Sequence, residues 1–301
     1  MLDLPLPRET TRGAARYGDF VPLGRGGKAE VWSCLDVVLG RRVAYKVLLP
    51  ELAGNREEER LLLREARIMA RLSHPAIPPV YDLGRDAQNR PYFTLQIAEG
   101  VGLEEILRQW ANQPQAFPLE GDFERRLALG MRIVEAMAWA HQKGLAHGDL
   151  KPGNLLVAHR DAVVVLDWGL ACHESEPRTP AVRGGLRHGS PGYLPPEMRC
   201  GAATLASKRS DVYQLGAILY ELLTLEPFEC RAGGSAIRFT TGPGRLRLDD
   251  GFDSRVAASL ERACQRALHA DREERFANAG QFARALREAH LDLLANFERI
   301  G

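Results

Sequence analysis

The chain has 301 residues, about twice the size of a common single domain, so it can form one two-lobed unit or two small domains. Its 45% hydrophobic and 26% charged residues lie near globular averages and argue against a disordered, fibrous or membrane protein. The formal net charge of +1 provides no overall field for nucleic acid or an anionic membrane surface, so nucleic-acid binding is not expected.

The five cysteines are odd in number, widely spaced and absent from C-x-x-C pairs. The sequence therefore predicts neither a disulfide framework nor a zinc site. No apolar run reaches the roughly 18 residues of a membrane span, and the N-terminus lacks the apolar core of a signal peptide. We expect a cytoplasmic chain without a membrane span, with residues 1–16 as a polar leader.

Residues 17–99 are predicted to form a unit in which strands dominate. In chain order the patterns favour a strand, a glycine turn, two strands, a helix and two more strands. The helix follows from the period of EEERLLLREARIMARL, and the His-Pro and Pro-Pro pairs after it indicate its end.

Residues 100–290 are predicted to be mostly helical, with short apolar strands in LLVA and AVVVLD. A loop rich in Gly, Pro, Arg and Ser covers residues 173–196 and is long enough to predict a function of its own. Residues 291–301 are assigned to a C-terminal helical tail.

The first residues that indicate chemistry lie in the glycine-rich turn LGRGGKAEV. Glycines let backbone N–H groups approach phosphates closely, although an ordinary β-turn explains this stretch about equally well. The strand that follows places Lys46 among apolar residues, where an unpaired ammonium group is costly. Glu65, in the next helix, is the natural anionic partner, so we predict a Lys46–Glu65 ion pair.

A second cluster is the loop HGDLKPGN at residues 147–154, followed by an apolar strand and Asp-Trp-Gly. Such a set of polar residues suits phosphoryl transfer, which depends mainly on positioning and charge neutralisation. Carboxylate and amide oxygens suit hard Mg²⁺, so Asn154 and Asp167 are candidate metal ligands. Asp149 is the candidate residue for orienting the incoming hydroxyl group.

Taken in chain order, these motifs resemble those of the protein-kinase family, especially bacterial Hanks-type serine/threonine kinases. The resemblance extends from Tyr17 to His290 and includes GSPGYLPPE at 189–197 and SDVYQLG at 210–216. It implies an α+β fold with two lobes, an antiparallel β-sheet N-lobe with one main helix and a mostly helical C-lobe. The implied function is an ATP-dependent serine/threonine kinase that phosphorylates a protein substrate, with Mg²⁺ or Mn²⁺ as the metal.

The resemblance also assigns roles to individual residues. Lys46, fixed by Glu65, would bind the α- and β-phosphates of ATP. Asp149 would be the catalytic base, and Lys151 would contact the γ-phosphate. Asn154 and Asp167 would bind the metal ion.

The residues expected to bind ATP lie in the glycine-rich turn, on neighbouring strands or just beyond them: Leu23, Gly24, Gly26, Gly27, Val31, Ala44, Lys46, Leu95, Gln96, Ala98 and Leu156. The apolar ones would line the adenine slot, although core packing explains them almost equally well. Backbone groups of Gln96 and Ala98 would bind the adenine edge.

Two further assignments concern the scaffold of the helical lobe. By the resemblance, Asp211 holds the backbone of the catalytic loop, which is the HGDLKPGN stretch at residues 147–154. Arg275 and Glu197 are expected to form a structural ion pair.

The sequence departs from the family pattern at several positions. Ala29 replaces the third glycine, Trp168 the phenylalanine after the metal-binding aspartate, and Pro195 an alanine. Gly148 replaces the arginine that, in many kinases, binds a phosphorylated loop residue. We therefore predict that phosphorylation of the loop at 173–196 is not the main switch of the enzyme.

Two alternatives remain open. A small-molecule kinase of the aminoglycoside or choline type shares the His-Gly-Asp motif and an Asn five residues after the aspartate. That family lacks a counterpart of Lys151, of the peptide-docking stretch GSPGYLPPE at 189–197 and of the SDVYQLG helix. A pseudokinase that serves as a scaffold is the second, although none of the charged participants is lost. Serine/threonine specificity is inferred from Lys151 and Ser190, whereas neither the substrate nor the oligomeric state can be derived from the sequence.

Overall fold

The chain divides into two compact units, residues 1–99 and 100–301. A computed structural model describes residues 16–112, 119–174, 192–199, 206–228 and 254–297. Apart from Arg16, the predicted leader lies outside the described residues. The boundaries predicted for the leader and the C-terminal tail stay predictions.

The first unit combines an antiparallel sheet with one α-helix in its described part, residues 16–99. The strands are β1 (Tyr17–Arg25), β2 (Ala29–Asp36), β3 (Arg41–Leu48), β4 (Val80–Arg85) and β5 (Pro91–Leu95), and the helix is α1 (Arg56–Met69). The strand order is β1-β2-β3-β5-β4. This order confirms the predicted antiparallel N-lobe with one main helix.

The central strand β3 has an apolar face that packs in the core and an opposite face that carries Lys46. Val43, Tyr45 and Val47 are buried on one face, in a core cluster with side chains from β1, β2 and β5. Because successive side chains of a strand alternate between faces, Ala44 and Lys46 project from the opposite face.

Helix α1 begins after Asn55, whose side-chain oxygen accepts hydrogen bonds from two backbone N–H groups of the first turn. Its buried residues include Leu62, Glu65, Ala66 and Met69. Since residues three and four apart share a helix face, this spacing places the Glu65 carboxylate on the buried face.

The second unit is mostly helical, as predicted. Its helices are α2 (Leu103–Asn112), α3 (Leu119–Gln142), α4 (Pro196–Arg199), α5 (Lys208–Thr224), α6 (Ser254–Ala267) and α7 (Ala279–Phe297). Its short strands are β6 (Val101–Gly102), β7 (Leu145–Ala146), β8 (Leu155–Val157), β9 (Val163–Val165) and β10 (Cys172–His173). None of the described helices combines the length and apolar character needed to cross a bilayer.

Helix α5 packs against α3, α6 and α7, and most of its side chains are buried. The Ser207 side chain caps its first turn by accepting a hydrogen bond of 3.1 Å from the Ser210 N–H. Asp211 and Gln214 are buried polar residues of this helix, so its packing determines their positions in the unit.

The ion pair predicted for the scaffold is present. Arg275, only 1% exposed, donates from Nη1 and Nη2 to the two carboxylate oxygens of Glu197 at 2.8 and 2.7 Å. Its Nε also donates to the His269 carbonyl at 2.7 Å. A buried arginine with this many acceptors is a structural element, because removing one partner leaves an uncompensated charge.

Candidate active site

The glycine-rich turn connects β1 and β2, and its three candidate glycines are exposed. Within the described part of the chain, a Cβ atom at Gly24 or Gly27 would meet no atom within 4 Å, and one at Gly26 would make only an ordinary contact. None of the three has a positive φ. Neither packing among the described residues nor backbone conformation requires glycine here, so the open backbone is compatible with the predicted close approach of phosphates.

The predicted Lys46–Glu65 ion pair is confirmed. Lys46 Nζ lies 2.6 Å from Glu65 Oε1 and 2.9 Å from Oε2. The side chain of Lys46 is 18% exposed and that of Glu65 is 6% exposed. The two-oxygen contact offsets the cost of burying the ammonium group. Binding of ATP phosphates by Lys46 stays a prediction.

Several predicted adenine contacts share the sheet face that carries Lys46. Val31 lies opposite Lys46 in the β2–β3 pairing, and Leu95 lies opposite Ala44 in the β3–β5 pairing. Directly opposed residues of an antiparallel pair project to the same face. Leu23, in contrast, is 53% exposed in the first unit.

Just after β5, one backbone donor at the predicted adenine edge is already used within the chain. The Gln96 N–H donates to the Pro79 carbonyl at 3.0 Å. Of the two backbone groups of Gln96, only the carbonyl can therefore serve a ligand. Leu156, the remaining apolar candidate, is a half-buried residue of β8 in the second unit.

Side chains of helix α5 accept hydrogen bonds from the backbone of the catalytic loop. Asp211 is one of them, as predicted. The carboxylate of Asp211 accepts from the N–H groups of His147 and Gly148 at 2.7 and 2.9 Å. Gln214 accepts from the Leu150 N–H at 3.0 Å. Because these acceptors lie on one capped and buried helix, the loop backbone has little freedom to move.

Two histidines extend this support, and neither has a role in the sequence interpretation. His141 Nδ1 accepts from the Ala279 N–H at 2.9 Å, so the proton lies on Nε2 and is donated to Asp211 at 2.8 Å. His147 Nδ1 accepts from the Asp149 N–H at 3.2 Å, and its Nε2 therefore donates to the Leu166 carbonyl at 2.9 Å. Both imidazoles thus connect the loop or its support to neighbouring segments through hydrogen bonds at both ring nitrogens.

Gln214 and His141 were missed by the sequence reasoning. Gln214 lies three residues after Asp211 in SDVYQLG, so its position one helical turn away was a usable signal. His141 offered only its place on the apolar face of a helix, which is the ordinary place for a histidine of the core.

The polar residues of the loop converge on the Asp149 carboxylate. Lys151 Nζ lies 3.1 Å from Asp149 Oδ2, and Asn154 Nδ2 lies 3.2 Å from the same oxygen. Asn154 Nδ2 also donates to the Asp149 carbonyl at 2.7 Å. Since the amide nitrogen of Asn154 is occupied in this way, its amide oxygen is the atom left to face a metal ion.

A hairpin brings the two candidate metal ligands together. Asn154 precedes β8, Asp167 follows β9, and these strands pair antiparallel with Leu155 opposite Val165. The Leu166 N–H donates to the Asn154 carbonyl at 2.8 Å. Asp167 has the left-handed backbone φ 57°, ψ 71°, an uncommon conformation that functional sites often retain.

The donor set fits a hard divalent ion. Both candidate ligands offer oxygen atoms, and an ion such as Mg²⁺ is typically bound by one or two carboxylates together with phosphate oxygens. Among the described residues, no group of three or more His, Cys, Asp and Glu side chains is arranged to hold a metal ion.

The tryptophan that departs from the family pattern is accommodated in the core. Trp168 is fully buried, and its indole N–H donates to the Val165 carbonyl at 3.2 Å. Its ring packs against His147 with 4.8 Å between centroids. The substitution therefore retains an aromatic contact beneath the catalytic loop.

Gly148, the departure with regulatory consequences, is required by the fold. Its φ is +88°, and a Cβ atom there would lie 2.6 Å from the Ala206 Cβ and 3.0 Å from the Leu170 carbonyl oxygen. The position thus has neither the backbone conformation nor the space for an arginine.

Replacing Gly148 by arginine is expected to lower the free energy of unfolding by about 2–4 kcal/mol, through left-handed strain and overpacking. Chemical denaturation measures the change. Gly102→Ala is the matched control in the same unit, because its Cβ would meet no atom within 4 Å. An arginine variant as stable as the control would show that Gly148 is not required by packing.

Part of the predicted docking stretch at 189–197 is described, namely residues 192–197. The Tyr193 hydroxyl donates to Glu221 Oε1 at 2.7 Å, and the Phe228 N–H donates to the same oxygen at 2.7 Å. Burial raises the pKa of the Glu221 carboxyl above its usual range. These contacts fix Tyr193 to α5, whereas Ser190 lies outside the described residues.

Two features are typical of ATP-dependent phosphotransferases. One is the lysine that pairs with a helix glutamate, and the other is the aspartate on a polar loop that is hydrogen-bonded to a buried helix. The family model described as the protein kinase domain matches residues 17–285, and the chain belongs to the protein kinase family. Membership implies use of ATP and a divalent metal ion and action on protein substrates. It confirms the predicted family and fold.

Curated relatives agree with this assignment. The chain is 32% identical to a probable serine/threonine-protein kinase of Streptomyces coelicolor over 91% of the chain and 40% of the relative. It is 30% identical to the kinase PknD of Chlamydia muridarum over 92% of the chain and 32% of the relative. It is 38% identical to the kinase PrkC of Bacillus subtilis over 71% of the chain and 31% of the relative.

The chain thus spans less than half the length of these bacterial relatives. All three are named serine/threonine kinases, which supports the serine/threonine kinase activity predicted from the motifs.

Proposed function

We propose that this domain transfers the γ-phosphate of ATP to serine or threonine hydroxyl groups of a protein, with Asp149 as the catalytic base. The observation that carries the proposal is the convergence of Lys151 Nζ and Asn154 Nδ2 on Asp149 Oδ2, at 3.1 and 3.2 Å. It favours an active enzyme over a scaffold, because a pseudokinase would not need this arrangement of charges.

In the first unit, Lys46 supplies a compact positive charge to the α- and β-phosphates, and Glu65 fixes its direction. The exposed glycines of the turn offer backbone N–H groups to phosphate oxygens. The apolar face formed by Val31, Ala44 and Leu95 suits one side of an adenine ring, with the carbonyl of Gln96 as an acceptor for its amino group.

In the second unit, Asp149 accepts a hydrogen bond from the incoming hydroxyl group. It receives the proton as the hydroxyl oxygen bonds to the γ-phosphorus and the bond from that phosphorus to the β,γ-bridging oxygen breaks, which releases ADP. Lys151 offsets the charge of the γ-phosphate. The ammonium group also keeps the Asp149 carboxylate oriented before the substrate arrives.

The metal is proposed to be Mg²⁺, with Mn²⁺ as a substitute, held by the amide oxygen of Asn154 and the carboxylate of Asp167. When bound, it neutralises the developing charge on phosphate oxygens. The hydrogen bonds from Asn154 to Asp149 fix the position of this metal ligand relative to the catalytic base.

Asp167→Asn is expected to raise the Mg²⁺ concentration at half-maximal rate by roughly tenfold or more, because a neutral amide is a poorer ligand for a hard cation than a carboxylate. The measurement is a Mg²⁺ titration at saturating ATP. Asp161→Asn is the matched control, since Asp161 lies just before β9 and binds Arg125 at 2.8 Å. An unchanged titration for Asp167→Asn would remove this residue from the metal site.

A cytoplasmic position of the domain is part of the proposal, because ATP is supplied there. Two buried cysteines, Cys34 and Cys264, are free thiols, which suits a reducing compartment. The physiological substrate, any partner and the activity of a longer protein are not assigned.

The acceptor class is tested by incubating the purified chain with labelled ATP and Mg²⁺. Parallel reactions contain a generic basic protein, a panel of aminoglycosides and choline. We expect label in protein only. Label in a small molecule would favour the small-molecule kinase, and ATP binding without any transfer would favour the pseudokinase.

A further inference from the structure

Lysine is scarce in this chain, with five lysines among 40 basic residues. Lys28, Lys46, Lys151 and Lys208 form ion pairs with carboxylates. Lys208 lies outside the motifs of phosphate binding. Its Nζ lies 2.9 Å from Glu174 Oε2, and its side chain is 17% exposed.

The position of Lys208 is unfavourable for the helix that carries it. It is the first residue of α5, immediately after the capping residue Ser207. The N-terminal end of a helix carries partial positive charge, so a cation there is disfavoured. Helix formation therefore does not account for Lys208, whereas its contact with Glu174 does.

Glu174 lies seven residues after the proposed metal ligand Asp167, in the segment 167–174. Within this segment β10 pairs with β7, and the Glu174 N–H donates to the Gly144 carbonyl at 2.9 Å. Cys172 Sγ donates to the Ala206 carbonyl at 3.0 Å. The segment is thus bound both to the strand before the catalytic loop and to the residues that precede α5.

The absence of a side chain at Gly148 completes this arrangement. Ala206 occupies the space beside Gly148, where a Cβ atom would meet it at 2.6 Å. The close contact with Ala206, which lies just before α5, thus leaves no space for a side chain at residue 148. Two residues further on, Lys208 offers a cation to a carboxylate of the same loop.

We propose that Glu174 and Lys208 are positioning residues that hold the segment after Asp167 against α5 and so replace the phosphate–arginine contact used by other kinases. The inference rests on the proposed function. It adds that the Glu174 carboxylate, which is permanently charged, takes the place of a phosphorylated residue. Because α5 also carries Asp211, the pair links the segment of the metal ligand to the support of the catalytic loop.

The test compares Lys208→Met, Glu174→Gln and the exchanged double variant Lys208→Glu with Glu174→Lys. Each single variant is expected to lower kcat about fivefold, the upper end of the scale for one ion pair with an exposed carboxylate. Each should also raise the Mg²⁺ concentration at half-maximal rate, because Asp167 loses its support. The exchange should restore both values to within twofold, since glutamate is well suited to the start of α5.

The matched control is Arg287→Met, which removes an exposed ion pair of 2.9 Å between α7 and Glu135 of α3. It should leave kcat and the Mg²⁺ titration unchanged. Phosphatase treatment of the wild type should also leave kcat unchanged. Single variants with wild-type Mg²⁺ titrations, an exchange that fails to restore kcat, or a wild type inactivated by phosphatase would each overturn the inference. A wild type without any transfer would instead refute the proposed function.

Discussion

Replacing Asp149 by asparagine is expected to lower kcat by a factor of roughly 10² to 10⁴, the usual contribution of a positioned general base. Asparagine has nearly the same shape, so the loop held by Asp211 should keep its conformation. What is lost is the proton acceptor and the negative charge that Lys151 and Asn154 contact at 3.1 and 3.2 Å. ATP affinity should change little, so the effect should appear in kcat.

The matched control for this variant lies in the same unit. His-Arg-Asp at residues 159–161 has the letters of the common kinase catalytic tripeptide. It lies in the turn between β8 and β9, and its aspartate binds Arg125. Asp161→Asn should therefore leave kcat within about twofold of wild type, in line with an exposed ion pair. A large loss there, with none in Asp149→Asn, would reverse the assignment.

Lys46→Met is the second change with a large expected effect, a loss in kcat/KM of roughly 10² or more, typical of one electrostatic contributor at a transferring phosphoryl group. The variant removes the charge proposed to bind two phosphates. It also removes the ammonium group from Glu65, which is 5% exposed, so stability should fall as well. Thermal unfolding must therefore accompany the kinetics.

Lys46→Arg separates these two effects. Arginine keeps a positive charge beside Glu65, but its planar fork cannot replace a compact ammonium group at the phosphates. We expect it to recover stability more than rate. Arg85→Met is the control, because it removes another ion pair of 2.6 Å between α1 and the sheet. Equal losses of rate for Lys46→Met and Arg85→Met would mean that Lys46 acts only through the position of α1.

The predictable part of the fold is the part that local pattern determines. The apolar strand around Lys46 and the helical period around Glu65 are local patterns. The ion pair follows from them because a lysine among apolar residues needs an anionic partner. The pairing of Arg275 with Glu197 is different. It joins distant parts of the chain and was predicted only through the resemblance to kinases.

The sequence does not reveal contacts that depend on how separate segments pack. Gly148 is recognisable as a missing arginine, yet its positive φ and the proximity of Ala206 follow from the position of the segment before α5. The Glu174–Lys208 pair is hidden for the same reason, because many carboxylates could serve one lysine. The residues between 175 and 191 lie outside the described part of the chain, so the predictions about that loop are not tested.

The most direct test of the central claim is mass spectrometry of a protein substrate after incubation with ATP and Mg²⁺, using the wild type and Asp149→Asn side by side. The account predicts phosphate on serine or threonine with the wild type, and at least a hundredfold slower incorporation with the variant. Phosphate on tyrosine alone, no incorporation by the wild type, or equal incorporation by both proteins would contradict it.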